Sequence, residues 1–163
     1  TLAQSLNHLQ KLTAQAAPSP VRIVYPASGT RLSACWLEDD DIIVDKDAYW
    51  SVANSLEEAA YVVAVLNTEI VLDRVKDLQP VGQRDPRHFD NLVWTLPIPE
   101  FDANDAVHVD LAAAALHAAD VSARVELPDD AHFTTKRRLI RQALEADGVA
   151  ETIERLVDAL LPL

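Results

Sequence analysis

The apolar residues of this chain change from a two-residue period to a helical period, which leaves few ways to fold it. From Val21 to Tyr25 apolar residues alternate with others, and the segments Arg31 to Leu37 and Ile42 to Val44 supply further strand-like runs. After Ser55 the apolar residues recur mostly at three- and four-residue steps, as on one face of an amphipathic helix. The pattern predicts an α+β fold, in which a small β-rich section with two helices is followed by a helical C-terminal tail.

Local signals mark where the two helices begin and end. Ser55, followed three residues later by Glu58, has the spacing of a capping box and opens a helix that the Asn67-Thr68 pair interrupts. A second helix is expected over Ile70 to Leu78. The short apolar run Leu92 to Leu96, which prolines follow, predicts another strand.

Three apolar stripes at helical spacing predict three helices in the tail. The middle stripe is expected to face the core and consists of Phe133, Leu139, Ile140 and Leu144. Gly148 separates the last two stripes and is interpreted as a helix stop.

The length of 163 residues suits one domain, or two small ones that share a core. We divide the chain into residues 1–19, the end of an upstream helix and a linker, residues 20–100, the α+β section, and residues 101–163, a helical tail packed on it. The chain contains no methionine and does not begin with one, so we expect a fragment of a longer protein.

Several kinds of site are excluded by composition. The three glycines, at positions 29, 82 and 148, are too far apart for a phosphate-cradling loop, which excludes dinucleotide folds and P-loops. The single cysteine, Cys35, excludes a disulfide or cysteine zinc cluster within one chain and is interpreted as a small buried hydrophobe. The five histidines show no helical pairing that would place two on one metal, so no metal site is expected.

Catalytic motifs are also absent from the sequence. Enzymes that transfer a methyl group from S-adenosylmethionine to adenine require a Gly-x-Gly turn and a pair of adjacent prolines, and this sequence has neither. Common restriction nucleases have an acid two residues before a lysine, and no lysine of this sequence has one. The acidic run Glu38 to Asp41 is interpreted as a solvated connecting loop rather than a cation site. We therefore assign no catalytic residue and no cofactor to this chain.

No membrane partner is expected either. No apolar run approaches the roughly 18 residues of a membrane span, and the N-terminus lacks the layout of a signal peptide. The expected location is cytoplasmic.

Basic residues form two local groups although the net charge is −12. The first group lies around the polar loop from Gln83 to Asn91 and consists of Arg74, Lys76, Arg84, Arg87 and His88. The arginine, glutamine and asparagine side chains of this loop have the donors and acceptors that match base edges. The same loop also suits a solvated turn with local Arg–Asp pairs. The second group, Lys136 to Arg141, contains no acid and suits either a phosphate clamp or a charged helix face that pairs with Asp129, Asp130 or Glu145.

The order of these segments resembles the C-terminal specificity region of adenine-specific DNA methyltransferases and of the fused restriction–modification enzymes related to them. The resemblance consists of the helix Tyr61 to Thr68, a glycine followed by an Arg-His-Phe loop, and the run Leu92 to Leu96 leading into Pro97-Ile98-Pro99. It covers roughly residues 20 to 100, and the remaining helical part is similar to the tail of larger family members.

This resemblance implies a DNA target-recognition module that is not catalytic by itself. Its parent would use S-adenosylmethionine, and its partners would be double-stranded DNA, bound through the parent protein, and the upstream methyltransferase domain. By chemistry and by position in the matched loop, the residues assigned to base contacts are Gln83, Arg84, Arg87, His88 and Asn91. Those assigned to phosphate contacts are Arg74, Lys76, Lys136, Arg137, Arg138 and Arg141. The alternative function is a structural or protein-interaction domain that docks on the catalytic domain or on another subunit.

Overall fold

A small antiparallel sheet forms the N-terminal part of the protein. The computed structural model describes residues 13–16, 21–39, 41–79, 88–89 and 91–161. Strands β1 (Val21–Pro26), β2 (Cys35–Leu37) and β3 (Ala48–Ala53) lie in the order β2-β1-β3, and β1 is antiparallel to both neighbours. Ile23 is opposite Trp36 on one side and Ser51 on the other. The alternating residues of β1 are buried, as the two-residue period predicts.

The third strand is not the one that the sequence predicts. Ile42 to Val44 forms no strand, and Ile42 and Ile43 are exposed, because the backbone of Val44 pairs with a side chain instead of a strand. The Gln15 amide, in the 3-10 helix Thr13–Ala16, accepts from the Val44 N–H at 2.8 Å and donates to its carbonyl at 2.9 Å. The rest of the predicted N-terminal helix, residues 1–12, lies outside the described residues.

Helix α1 (Leu56–Leu66) is the centre of the fold and is buried on most of its surface. As predicted, it begins at Ser55, whose Oγ accepts from the Glu58 N–H at 3.1 Å, and it ends at Asn67. The helix contacts all three strands, the helix that follows it and two helices of the tail. A helix that is apolar on all sides is stable only when it is buried in this way.

Helix α2 (Glu69–Leu78) follows directly, so both predicted helices are confirmed. Thr68 begins α2, because its Oγ1 accepts from the Val71 N–H at 3.3 Å and donates to the Val65 carbonyl at 2.8 Å. One side of α2 is buried through Val71, Leu72 and Val75.

The predicted strand at Leu92 to Leu96 is wrong, since Leu92–Thr95 is a short 3-10 helix. Its backbone bonds are local: the Leu92 N–H donates to the Phe89 carbonyl at 2.9 Å and the Trp94 N–H to the Asn91 carbonyl at 3.1 Å. The spacing of apolar residues in a run this short does not distinguish a strand from a helical turn. Here Val93 is buried and Trp94 is exposed, and the ring of Trp94 stands edge-on to that of Tyr25 at 5.8 Å.

The proline-containing segment after this turn is held against α1 by aromatic contacts. The Tyr61 hydroxyl donates to the Pro99 carbonyl at 3.0 Å, and burial, with a smaller effect of Asp105, raises the pKa of Tyr61 to about 12. Tyr61 also lies against the buried His108, with 4.7 Å between ring centres, while His108 Nδ1 accepts from the Asp102 N–H at 3.0 Å.

Three helices complete the α+β fold: α3 (Ala106–Ala123), α4 (Phe133–Asp147) and α5 (Val149–Leu160). α3 packs on α1, α5 packs on α1, α2 and α3, and α4 packs on α3 and α5. The buried apolar residues of α3 and α5 join those of the sheet and of α1 in one core cluster that extends from Val21 to Leu161. The predicted stop at Gly148 is confirmed, because this residue has a φ of 88° and ends α4.

Two side chains lie differently from the prediction. Cys35 is exposed, because β2 is an edge strand, whereas the sequence indicated a buried residue. Phe133 is 56% exposed rather than directed into the core, because it is the first residue of the peripheral helix α4. None of the helices in the described ranges is long and apolar enough to cross a bilayer.

Candidate nucleic-acid interface

Helix α4, which carries the second basic group, lies at the periphery of the fold and has no buried residue. Half-buried Leu139, Ile140 and Leu144 form its inner side. The ring of His117 on α3 and the carboxylate of Asp147 are joined at 2.9 Å, which ties the end of α4 to its neighbour. The opposite side of the helix is therefore available for contact with a partner.

The outer side of α4 presents four cations within two helical turns. We call Lys136, Arg137, Arg138 and Arg141 the basic strip. The three arginines are exposed and Lys136 is half-buried. Arg137 and Arg138 stand four and three residues before Arg141, so all three guanidinium groups project from neighbouring positions of one helical face.

The basic strip has no carboxylate partner in the described part of the chain. None of the ion pairs that the described residues form includes a strip residue, although Asp129, Asp130 and Glu145 were candidate partners. Lys136 Nζ donates to the backbone carbonyl of Asp129 at 3.2 Å, not to its carboxylate. These arginines therefore keep their charge and hydrogen-bond donors available to an anion.

An aromatic residue adjoins the basic strip. The Arg137 guanidinium lies 5.3 Å from the centre of the Phe133 ring, and the centres of the His132 and Phe133 rings are 4.4 Å apart. Sequence reasoning placed Phe133 among core residues and missed this contact. Its position four residues before Arg137 is the signal that was available.

Arg74 and Lys76, from the first basic group, make contacts within the protein. Arg74 Nη2 donates to the carbonyl of Leu161, which connects α2 to the end of α5. Lys76 Nζ pairs with the Asp73 carboxylate at 2.9 Å, one turn earlier on α2. A phosphate would have to compete with these contacts, whereas at the exposed arginines of α4 it would not.

The residues assigned to base contacts fall only partly within the described structure. His88 and Asn91 are exposed. The backbone of His88 is held in place, since its carbonyl accepts from Gln79 Nε2 at 2.5 Å. Phe89, by contrast, is a core residue with 1% exposure. Gln83, Arg84 and Arg87 lie outside the described residues, so their assignment stays a prediction.

No metal-binding cluster occurs in the parts of the chain that the structure describes, where no three His, Cys, Asp or Glu side chains are placed to hold an ion. The acidic run is a connection between strands: the Asp39 carbonyl accepts from Arg22 Nη2 at 2.6 Å, and the Asp39 carboxylate accepts from the Asp41 N–H at 2.8 Å. The cations of α4 are thus the group of neighbouring like charges that is exposed and without a carboxylate partner in the described part of the chain.

Comparisons of this chain with models of known protein families, with curated proteins and with solved structures find no match.

Proposed function

We propose that this chain is the C-terminal DNA target-recognition module of an adenine-specific DNA methyltransferase or fused restriction–modification enzyme. The chain itself performs no catalysis in this proposal. The resemblance of the segments around Tyr61–Thr68 and Leu92–Pro99 to the specificity region of these enzymes supports the proposal. The basic strip on the outer face of α4 supports it as well. The parent would use S-adenosylmethionine bound in the upstream methyltransferase domain, and it would act on cytoplasmic double-stranded DNA.

The observation that carries the proposal is the clustering of unpaired cations in the basic strip of a strongly acidic chain, which has 26 acidic and 14 basic residues. Single exposed cations such as Arg124 and Arg155 also form no ion pair within the described ranges, but they have no second cation one helical turn away. Arg137 and Arg141 instead stand one helical turn apart, an arrangement of like charges that costs roughly 0.2–0.5 kcal/mol in an isolated helix. An anionic ligand removes this repulsion, and DNA phosphates at regular spacing match a row of guanidinium groups.

The two basic groups would have different tasks. Arg137, Arg138 and Arg141 would contact phosphates and so fix the position of the module on the duplex without reading sequence. The loop from Gln83 to Asn91 would contact base edges, because its arginine and amide side chains match guanine and adenine in the major groove. A net charge of −12 opposes binding elsewhere on the surface, so we expect binding that is weak and sensitive to salt.

Binding of duplex DNA by the 163-residue chain tests the proposal. Fluorescence anisotropy would compare the wild type with a strip variant, Arg137→Gln with Arg138→Gln and Arg141→Gln. We expect the strip variant to lose roughly tenfold or more in affinity at low salt, and to have a slope of log K against log salt that is smaller by about 2 to 3. Enrichment of a DNA sequence from a randomised duplex pool would report target recognition.

The matched control removes the same number of positive charges elsewhere. Lys46, Arg124 and Arg155 are exposed cations outside the basic strip, and changing all three to glutamine has the same effect on net charge. Because only the cations that contact phosphates contribute to the affinity, we expect this control to bind DNA within about twofold of the wild type. Equal losses in the two triple variants, or no binding of the wild type at low salt, would remove α4 as a DNA-contacting face.

A further inference from the structure

A groove separates the sheet edge from the helical tail. It has a volume of about 510 Å³ and lies between β2, the α1–α2 junction and helices α3, α4 and α5. The residues used below are Trp36, Asn67, Ala118, Leu144, Ile153 and Glu154. A volume of this size is typical of sites for small organic molecules, which occupy about 300–1,000 Å³.

The groove exists because α3 presents small side chains towards it. Ala118 and its alanine neighbours leave space that Trp36 and Leu144, from β2 and α4, do not fill. The walls are mostly apolar, so water gains little there and an apolar ligand is favoured.

One carboxylate stands in this apolar wall. Glu154, on α5, is half-buried, and its Oε1 accepts from the Glu69 N–H at 2.7 Å. No cation pairs with Glu154 within the described ranges, and the charged group that acts on it is another carboxylate, Asp73. Burial, and to a smaller extent Asp73, raise the pKa of Glu154 against the lowering effect of a hydrogen bond from the Ile70 N–H. A partly desolvated carboxylate without a cation is stabilised by any ligand that brings one.

We propose that this groove binds a small organic amine, with an apolar ring or chain against Trp36 and Ile153 and a protonated nitrogen on the Glu154 carboxylate. Charge complementarity selects the amine, since Glu154 and the weakly acidic Cys35 are the ionisable side chains of the wall. None of the residues that line the groove belongs to the basic strip, and the inference does not depend on DNA binding.

The single cysteine supplies a direct reporter of occupancy. Cys35 lines the groove, is exposed, and is the one cysteine of the chain. A bound ligand covers Cys35 and slows its alkylation by N-ethylmaleimide. Burial raises the pKa of the Cys35 thiol and slows its alkylation, so the reaction is followed over longer times near neutral pH, where the amine probe stays protonated and reacts little with the reagent. A Cys35→Ser variant measures background labelling.

Three probes share a phenylethyl group and differ in the polar group that it carries, which is positive in 2-phenylethylamine, neutral in 2-phenylethanol and negative in 3-phenylpropanoate. We expect the amine to protect Cys35 at concentrations about tenfold lower than the alcohol, because it adds a charge-assisted hydrogen bond, and the carboxylate to protect least. Titration calorimetry of the amine and the alcohol measures the same difference without using the thiol.

Two variants of α5 decide whether Glu154 is responsible. Glu154→Gln keeps an oxygen for the Glu69 N–H, so the fold is preserved, and it should abolish the advantage of the amine while protection by the alcohol stays unchanged. Glu151→Gln removes an exposed carboxylate one turn earlier and should leave that advantage intact. An amine that protects Glu154→Gln as well as the wild type would overturn the proposal, and so would a groove that binds none of the three probes.

Discussion

Asn67 pairs its side-chain amide with both backbone groups of Ala34: Nδ2 donates to the carbonyl at 3.0 Å and Oδ1 accepts from the N–H at 2.7 Å. Asn67 ends α1 and Ala34 immediately precedes β2, so these two bonds join the central helix to the sheet. Gln15 makes the same pairing with Val44. Amide side chains thus replace a missing strand partner at two places along the sheet.

Asn67→Asp should destabilise the protein more than the loss of one hydrogen bond would suggest. An aspartate can still accept from the Ala34 N–H, but its second oxygen then faces the Ala34 carbonyl. We expect the free energy of unfolding to fall by about 1–3 kcal/mol near neutral pH, with part of the loss recovered in acid, where the protonated carboxyl group donates. Urea unfolding at several pH values measures this. The control is Asn91→Asp, at an exposed position; a similar loss there would contradict the explanation.

Arg22 provides a test of the cost of a buried charge. It is 2% exposed in the middle strand, and Nη1 has no hydrogen-bond partner, while Nη2 donates to the Asp39 carbonyl. Arg22→Met fills a similar volume without the charge. We expect its free energy of unfolding to equal that of the wild type or to exceed it by about 1 kcal/mol. Arg22→Ala leaves a cavity and should lose about 2–4 kcal/mol. Equal destabilisation of both variants would show that the guanidinium group is needed.

Glu154→Gln should change the pH dependence of stability. Because the pKa of Glu154 is raised in the folded protein, its favourable contribution is complete below the unfolded pKa of about 4.3 and is lost as the pH rises through the folded value. The variant cannot ionise at this position. Its urea midpoint should therefore rise relative to the wild type as the pH increases through this window. Glu151→Gln controls for lost charge, and an equally large change in that variant would contradict the role of burial.

Gly148→Ala should be destabilising for reasons of backbone conformation alone. The residue has a φ of 88°, and a Cβ atom placed there would meet nothing within 4 Å. The expected loss is about 1 kcal/mol, since a left-handed conformation disfavours residues with a Cβ atom. Gly148→Asn should lose less, because asparagine tolerates this conformation. Thermal unfolding of the two variants measures the difference; an alanine variant as stable as the wild type would show that the turn can rearrange.

The sequence predicted those parts of the candidate interface whose residues are neighbours along the chain. The basic strip was visible as Lys136 to Arg141, a run without acids, and its helix and its end at Gly148 are as the pattern predicts. Which cations are already engaged was not visible. Arg74 contacts Leu161, a residue 87 positions away, and no local pattern reports such a contact.

The start of α1, the end of α4 and the α+β class were thus determined by the sequence alone. Their causes act within one or two turns: Ser55 accepts from an N–H three residues on, and Gly148 adopts a conformation that other residues avoid. Tertiary structure decided which apolar runs became strands and which side chains stayed exposed. Ala48–Ala53 is a strand because it pairs with β1, and Leu92–Thr95 is not, although it is equally apolar. Strand pairing and burial depend on distant segments, because a β-strand obtains its hydrogen bonds from a neighbour and a helix obtains them from itself.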